Sequence, residues 1–229
     1  MKLIILDCDG VLVDSEMPGN IKFAQLLSDR GVHIDEDTCH KEFTGLSVKS
    51  IYKLLNDKFH KAFSASEIDD IENHLEQELF LNVQPIPGVE NLLQAIKNFN
   101  LPFCVASNSN PERIRGSLRT AGLLSYFADE HIFSSTIVAN GKPAPDIFLH
   151  AANVFNYLPE NCLVIEDSNF GIQAANAAAM DSIAFFGGQH AQQDWYKDRV
   201  LEQNPTITCD TMTDVVNKLQ YWLEKNYIL

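Results

Sequence analysis

The sequence predicts an α/β protein, a doubly wound parallel sheet interrupted after its first strand by a block of helices. Short apolar runs bounded by polar residues recur at 3–6, 102–106, 162–165 and 182–186, and helical patterns separate them. Residues 15–85 carry helical patterns only. Short continuous apolar runs suit strands buried on both faces, and strands alternating with helices imply a parallel sheet. The expected organisation is a core of residues 1–14 and 86–229 with an all-helical cap, residues 15–85, inserted into it.

Leu3-Ile4-Ile5-Leu6 is too short for a helix and reads as a buried strand that runs into Asp7-Cys8-Asp9-Gly10. Residues i and i+2 of a strand point to one side, so Asp7 and Asp9 can face a single pocket where the strand stops. Gly10 allows the sharp turn that follows. Two carboxylates this close repel unless a cation or a shared proton compensates. That points to a divalent metal with an acid/base role, or else to a solvated acidic turn.

Ser15 is a candidate N-cap for a helix over 16–30, with Pro18 tolerated in its first turn. A loop through Phe43-Thr44-Gly45-Leu46-Ser47 precedes Ile51, Leu54, Leu55 and Phe59 at helical spacing. A third helix, about 66–82, places Ile68, Ile71, Leu75 and Leu79 on one stripe. Its Glu67, Asp69, Asp70, Glu72, Glu76 and Glu78 read as a solvated face. Gln84-Pro85-Ile86-Pro87-Gly88 marks a boundary. A helix at 88–99, the strand 102–106 and a helix opened by Asn110-Pro111 follow. Next come a short apolar segment at Ile132-Phe133, then Gly141-Lys142-Pro143-Ala144-Pro145 and a helix to about 155. The strand 162–165, a small-residue helix over 169–179, the strand 182–186 and a helix over about 212–225 complete the chain. Gly171 and the neighbouring alanines read as close helix–sheet packing.

With 45% hydrophobic and 21% charged residues the composition is that of an ordinary globular protein. A formal charge of −14 opposes binding to nucleic acid, while a small anionic substrate is compatible with a local metal and a few cations. The five cysteines are odd in number and lack paired spacing, so buried free thiols in a reducing compartment are expected. No stretch approaches the roughly 18 apolar residues of a membrane span, and the N-terminal run is too short for a signal peptide. The expected location is cytoplasmic.

Ligands of open parallel sheets bind beyond the carboxyl ends of the strands. Asp7 and Asp9, Ser107 and Asn108, and Glu166 and Asp167 break apolar strands at such ends, and Lys142 adds a cation between Gly141 and Pro143. Taken singly, each has a plainer explanation. Ser107 could be a strand-end hydroxyl, Lys142 a surface lysine, and Glu166-Asp167-Ser168 the cap of the next helix. Together they offer a nucleophile, a hydroxyl donor, a fixed positive charge and further metal ligands.

Asp7-Cys8-Asp9-Gly10-Val11-Leu12-Val13-Asp14-Ser15-Glu16, then Ser107, Lys142 and Glu166-Asp167 in that order, resembles the four motifs of the haloacid dehalogenase superfamily. The resemblance implies a Rossmann-like core with a helical cap, Mg2+ as cofactor and a small phosphorylated metabolite as substrate. It implies that Asp7 supplies a carboxylate oxygen to the metal, Asp9 its backbone carbonyl, and Asp167 a second carboxylate. Glu166 would join them directly or through water. It makes Asp7 the nucleophile and Asp9 the general acid and base, with Ser107 and Lys142 on the phosphoryl group. Thr44, Gly45, Lys49 and Asn108 become candidate substrate contacts.

Asp9 favours an oxygen leaving group, because the dehalogenase and phosphonatase branches typically lack that carboxylate. The chain is similar to the beta-phosphoglucomutase-like branch, including Lys142-Pro143-Ala144-Pro145-Asp146. Where that mutase gates its acid with a histidine, Gly19 stands here, and Thr44 and Val48 replace basic residues of its cap loop. Lys49 and Lys53 are the only nearby substitutes. A hydrolase acting on a sugar or sugar-acid phosphate is therefore expected, ahead of a phosphomutase or a catalytically silent binding module.

Overall fold

The structure, a computed structural model, describes residues 2–44 and 48–226. In chain order the elements are β1 (Leu3–Leu6), β2 (Val13–Asp14), α1 (Glu16–Ser28), α2 (Glu36–Phe43), α3 (Val48–Phe59), α4 (Ala65–Asn82) and β3 (Gln84–Pro85). They continue with α5 (Val89–Asn98), β4 (Phe103–Ser107), α6 (Pro111–Thr120), β5 (Ile132–Ser134), α7 (Asp146–Val154) and β6 (Cys162–Glu166). The last are α8 (Asn169–Ala177), β7 (Asp181–Phe185), α9 (Asp194–Leu201), β8 (Ile207–Cys209) and α10 (Met212–Asn226).

The chain divides into two compact units, Met1–Asp14 with Gln84–Leu229, and Ser15–Val83. The first holds a six-stranded sheet in the order β5-β4-β1-β6-β7-β8, parallel throughout. From β1 the chain winds outward through β4 and β5, crosses back to the other side of β1, and winds out through β6, β7 and β8. That reversal of direction beside β1 creates the crevice in which such sheets bind ligands. Leu3 and Ile5 of β1 join Ala106, Val164, Phe148 and Ala175 in a core on one face. Their alternates Ile4 and Leu6 are also fully buried, so both faces are covered.

The second unit is helical. Phe23, Leu27, Phe43, Leu55 and Ile71 of α1, α2, α3 and α4 meet in its own core. At the start of α4, Ser64 N donates to Glu67 Oε2 (2.9 Å) and Glu67 N to Ser64 Oγ (3.3 Å), a reciprocal cap. On the acidic helix, Asp69 and Asp70 are exposed as its composition suggests; Asp70 pairs with Arg30, and Glu78 lies 3.8 Å from Lys22. The boundary expected at residue 85 falls two residues earlier, because Gln84 and Pro85 pair with Asp14 and Val13 in the sheet unit.

Four features escape the pattern reading. Helix α2 buries Cys39, His40 and Phe43, of which only Phe43 stands out as apolar in a polar stretch. Helix α9 buries only Tyr196 and Val200, one turn apart. Strand β8 buries only Cys209 at the sheet's edge, and β2 and β3 are two residues each. All five cysteines are free and buried. Among the described residues no helix is long and apolar enough to cross a membrane.

Candidate active site

Four segments of the sheet unit converge at the carboxyl ends of β1, β4 and β6. Asp7 follows β1, and its backbone N–H donates to Ile165 O of β6 (3.0 Å), setting it beside Glu166 and Asp167. The chain then turns back through Gly10, whose N–H reaches Val13 O (2.8 Å) at a φ of +82°. A side chain at Gly10 would be strained by that φ and would also run into the Asp167 carboxyl.

Lys142 is the electrostatic centre of the cluster. Its buried Nζ donates to Asp7 Oδ1 (2.5 Å), Glu166 Oε1 (2.7 Å) and Ala106 O (2.8 Å), which uses its three protons. Asn108 holds the lysine's backbone from both sides. Lys142 N donates to Asn108 Oδ1 (2.9 Å), and Asn108 Nδ2 donates to Lys142 O (3.1 Å). Gly141 permits this approach, since a Cβ there would press on Asn108 Oδ1. The Asn108 amide, expected to meet substrate, is thus engaged in placing Lys142.

Glu166 is held at both oxygens. Oε1 takes the lysine, and Oε2 accepts from Ser168 N and Ser168 Oγ (2.9 Å each). Ser168 also caps α8 by accepting from Gly171 N (3.0 Å). A Cβ at Gly171 would overlap the Glu166 carboxyl, so this glycine makes room for the site as well as for helix packing. Asp7, Glu166 and Asp167 are buried and offer oxygens within 4.8 Å of one another. The Asp9 carboxylate turns elsewhere: Ser109 Oγ donates to its Oδ2 (2.8 Å), and Arg113 Nη2 lies 3.6 Å from Oδ1. The Asp9 side chain is not among the three carboxylates that cluster. Ser107 is buried at the end of β4, its Oγ accepting from Ser109 N (3.1 Å).

Burial drives the Asp7 carboxyl well above the ordinary carboxylate range. Lys142 opposes that shift, while Glu166, Asp167 and Asp9 add to it. Burial alone would lower the Lys142 ammonium, but Asp7 and Glu166 outweigh it and hold the lysine charged. Burial also pushes the Cys8 thiol up, and the neighbouring Asp9 and Asp7 add to that. One ammonium thus faces the carboxylates of Asp7, Glu166 and Asp167, with Asp9 close enough to act on Asp7. An all-oxygen, acidic donor set suits a hard divalent cation such as Mg2+, whose charge would oppose the upward shift of Asp7.

The remaining candidates lie in the helical unit. Thr44 ends α2, with its Oγ1 2.9 Å from His40 Nδ1. Gly45 and the side chain of Lys49 lie outside the described residues. The sequence reading missed Ser109 and Arg113, which hold Asp9, and His190 and Tyr196, which meet Asp167. Gly187-Gly188, at the end of β7 on the same sheet edge, was the available signal for His190.

The family model for haloacid dehalogenase-like hydrolases matches residues 1–179. The chain is 28% identical to the 6-phosphogluconate phosphatase of Escherichia coli, over 83% of this chain and 85% of that protein. It is 30% identical to the beta-phosphoglucomutase of Bacillus subtilis, over 93% of this chain and 94% of that one. Among solved structures it resembles a conserved haloacid dehalogenase-like protein of unknown function from Agrobacterium tumefaciens. That likeness has a TM-score of 0.86 and 35% identity, and covers 97% of this chain and 99% of that one.

Proposed function

The chain belongs to the haloacid dehalogenase-like hydrolases, as a phosphoric monoester hydrolase of the beta-phosphoglucomutase-like branch, and from that membership we propose that it is a Mg2+-dependent phosphatase of small phosphorylated metabolites, sugar or sugar-acid phosphates, working through a phosphorylated Asp7. The observation that carries this reading is the Lys142 ammonium bonded at once to Asp7 and Glu166, with Asp167 alongside. Asp7, Asp167 and the Asp9 carbonyl would hold the cation. Glu166, whose two oxygens already engage Lys142 and Ser168, would act on it through water. Bound Mg2+ would supply charge neutralisation for the phosphoryl oxygens.

The protein's own residues account for the rest. Lys142, its three protons given to Asp7, Glu166 and Ala106 O, keeps Asp7 oriented and partly neutralised and meets the phosphoryl group through its positive charge, while Ser107 Oγ offers that group a donor. An Asp7 oxygen attacks phosphorus, forming the Asp7 O–P bond as the P–O bond to the alkoxide breaks. Asp9, held by Ser109 and Arg113, gives its proton to that alkoxide. Water then attacks phosphorus as Asp9 takes a proton from it, and the Asp7 O–P bond breaks to release phosphate. Thr44, Gly45 and Lys49 are proposed substrate contacts carried by the helical unit. The five buried thiols are compatible with a reducing cytoplasm.

Similarity to a mutase along almost the whole chain favours one alternative, transfer of the phosphoryl group back to the sugar. Gly19, with no side chain to gate the acid, counts against it. Incubation with a hexose 1-phosphate and Mg2+ separates the readings. Free phosphate supports the hydrolase, isomerised hexose phosphate the mutase, and no reaction with any phosphorylated metabolite tried, nor with p-nitrophenyl phosphate, a binding module.

A further inference from the structure

We infer that His190 is a positioning residue for the Asp167 carboxylate, aiming it at the cation site with help from Tyr196; this rests on the metal reading proposed above. His190 is fully buried just beyond β7, in a turn over Gln189–Gln192. Its Nε2 lies 2.6 Å from Asp167 Oδ2. A carboxylate can only accept there, so Nε2 carries the proton and donates it. The Tyr196 hydroxyl donates to the same oxygen from 3.3 Å.

Both donors engage Oδ2, which fixes the carboxylate's rotation and leaves Oδ1 as the oxygen not taken by this pair. The surrounding backbone is shaped for this pair. A Cβ at Gly10 would overlap the Asp167 carboxyl, and one at Gly188 would press on the imidazole. The turn carrying His190 is pinned by Gln192 Nε2, which donates to Phe186 O (2.9 Å) and Gly188 O (3.3 Å). Tyr196 is anchored among Ile172, Phe186 and Val200, and its ring stands edge-on to the imidazole at 5.1 Å.

The three carboxylates are thus steered by three different devices. Asp7 has Lys142, Glu166 has Lys142 with Ser168, and Asp167 has His190 with Tyr196. The last pair adds donors without a second lysine, so a cation still has anionic oxygens to meet. Partners that orient a ligand in this way change metal affinity by about 10- to 100-fold when removed.

The test is Mn2+ binding, followed as loss of the free-ion electron paramagnetic resonance signal, in wild type, His190→Gln and His190→Leu. Glutamine keeps an N–H near the position of Nε2, whereas leucine fills similar space without a donor. The expected result is a Kd raised about tenfold or more in His190→Leu and about threefold or less in His190→Gln. At saturating metal, KM for p-nitrophenyl phosphate should be unchanged in both. Equal Kd values in the two variants, whether like wild type or weakened alike, overturn the inference. Should the leucine variant not fold, Tyr196→Phe replaces it, with a Kd raised about twofold expected and an unchanged Kd against the inference. Wild type that binds no Mn2+ fails the metal reading itself, which is a separate result.

Discussion

At the scale of single residues, the site is organised by one buried ammonium. Lys142 is complete only with Asp7, Glu166 and Ala106 O around it. Its removal leaves two buried carboxylates facing each other. Breaking such a pair from one side costs about 3–5 kcal/mol, so Lys142→Ala should lose about that much in metal-free urea denaturation, and turnover with it. A cost under about 1 kcal/mol would mean the ammonium does not hold these groups. Asp9 makes a different demand. Asp9→Ala should slow alkyl phosphates by about 10²–10⁴ and p-nitrophenyl phosphate far less, because an aryl oxide leaves without a proton. Equal losses on both would argue against its acid role.

The residues that meet at the sheet edge could be picked out from the sequence because each ends an apolar strand or sits in a tight Gly-Lys-Pro turn. Ser109, Arg113 and Tyr196 could not, and His190 had only the neighbouring Gly187-Gly188 to point to it. Their importance is a matter of which carboxylate they touch, and no local pattern states that.

At the scale of elements, legibility follows burial. Strands β1 and β6, buried at every position, announce themselves as apolar runs, and α5 shows its core face through Val89, Leu92, Leu93 and Ile96. Helices α2 and α9 carry too few apolar residues to show a period. Helix α6 begins beside the site, where Asn110 Oδ1 accepts from Arg113 N (2.8 Å) and Pro111 occupies the first turn. Asn110→Ala should cost about 1 kcal/mol in denaturant unfolding. It should also slow alkyl-phosphate turnover, because the same first turn carries Arg113. Unchanged stability would show the cap to be dispensable. Helix α8 makes a sharper case: Gly171→Ala places a methyl group on the Glu166 carboxyl, and metal affinity should fall although a helix interior otherwise favours alanine.

At the scale of the whole molecule, strand–helix alternation is enough to specify a parallel sheet, and the helical block after β1 is visible as an interruption. The strand order β5-β4-β1-β6-β7-β8 is not visible. It depends on where the chain crosses back, and that crossing brings β6, with Glu166 and Asp167, beside Asp7. A cation bound there stabilises only the folded chain. Saturating Mg2+, at about 100 times Kd, should therefore add about 2.7 kcal/mol, or about 5–10 °C in Tm. Chelation should reverse this, and Asp167→Asn should abolish most of it. A melting temperature indifferent to Mg2+ in wild type would count against the cation site.

The most direct measurement is mass spectrometry of enzyme acid-quenched during turnover of a phosphorylated substrate. One phosphoryl group is expected on the peptide bearing Asp7, absent from Asp7→Asn, which should fold but not turn over. A phosphoryl group on another residue, or an active Asp7→Asn enzyme, would contradict a phosphorylated Asp7.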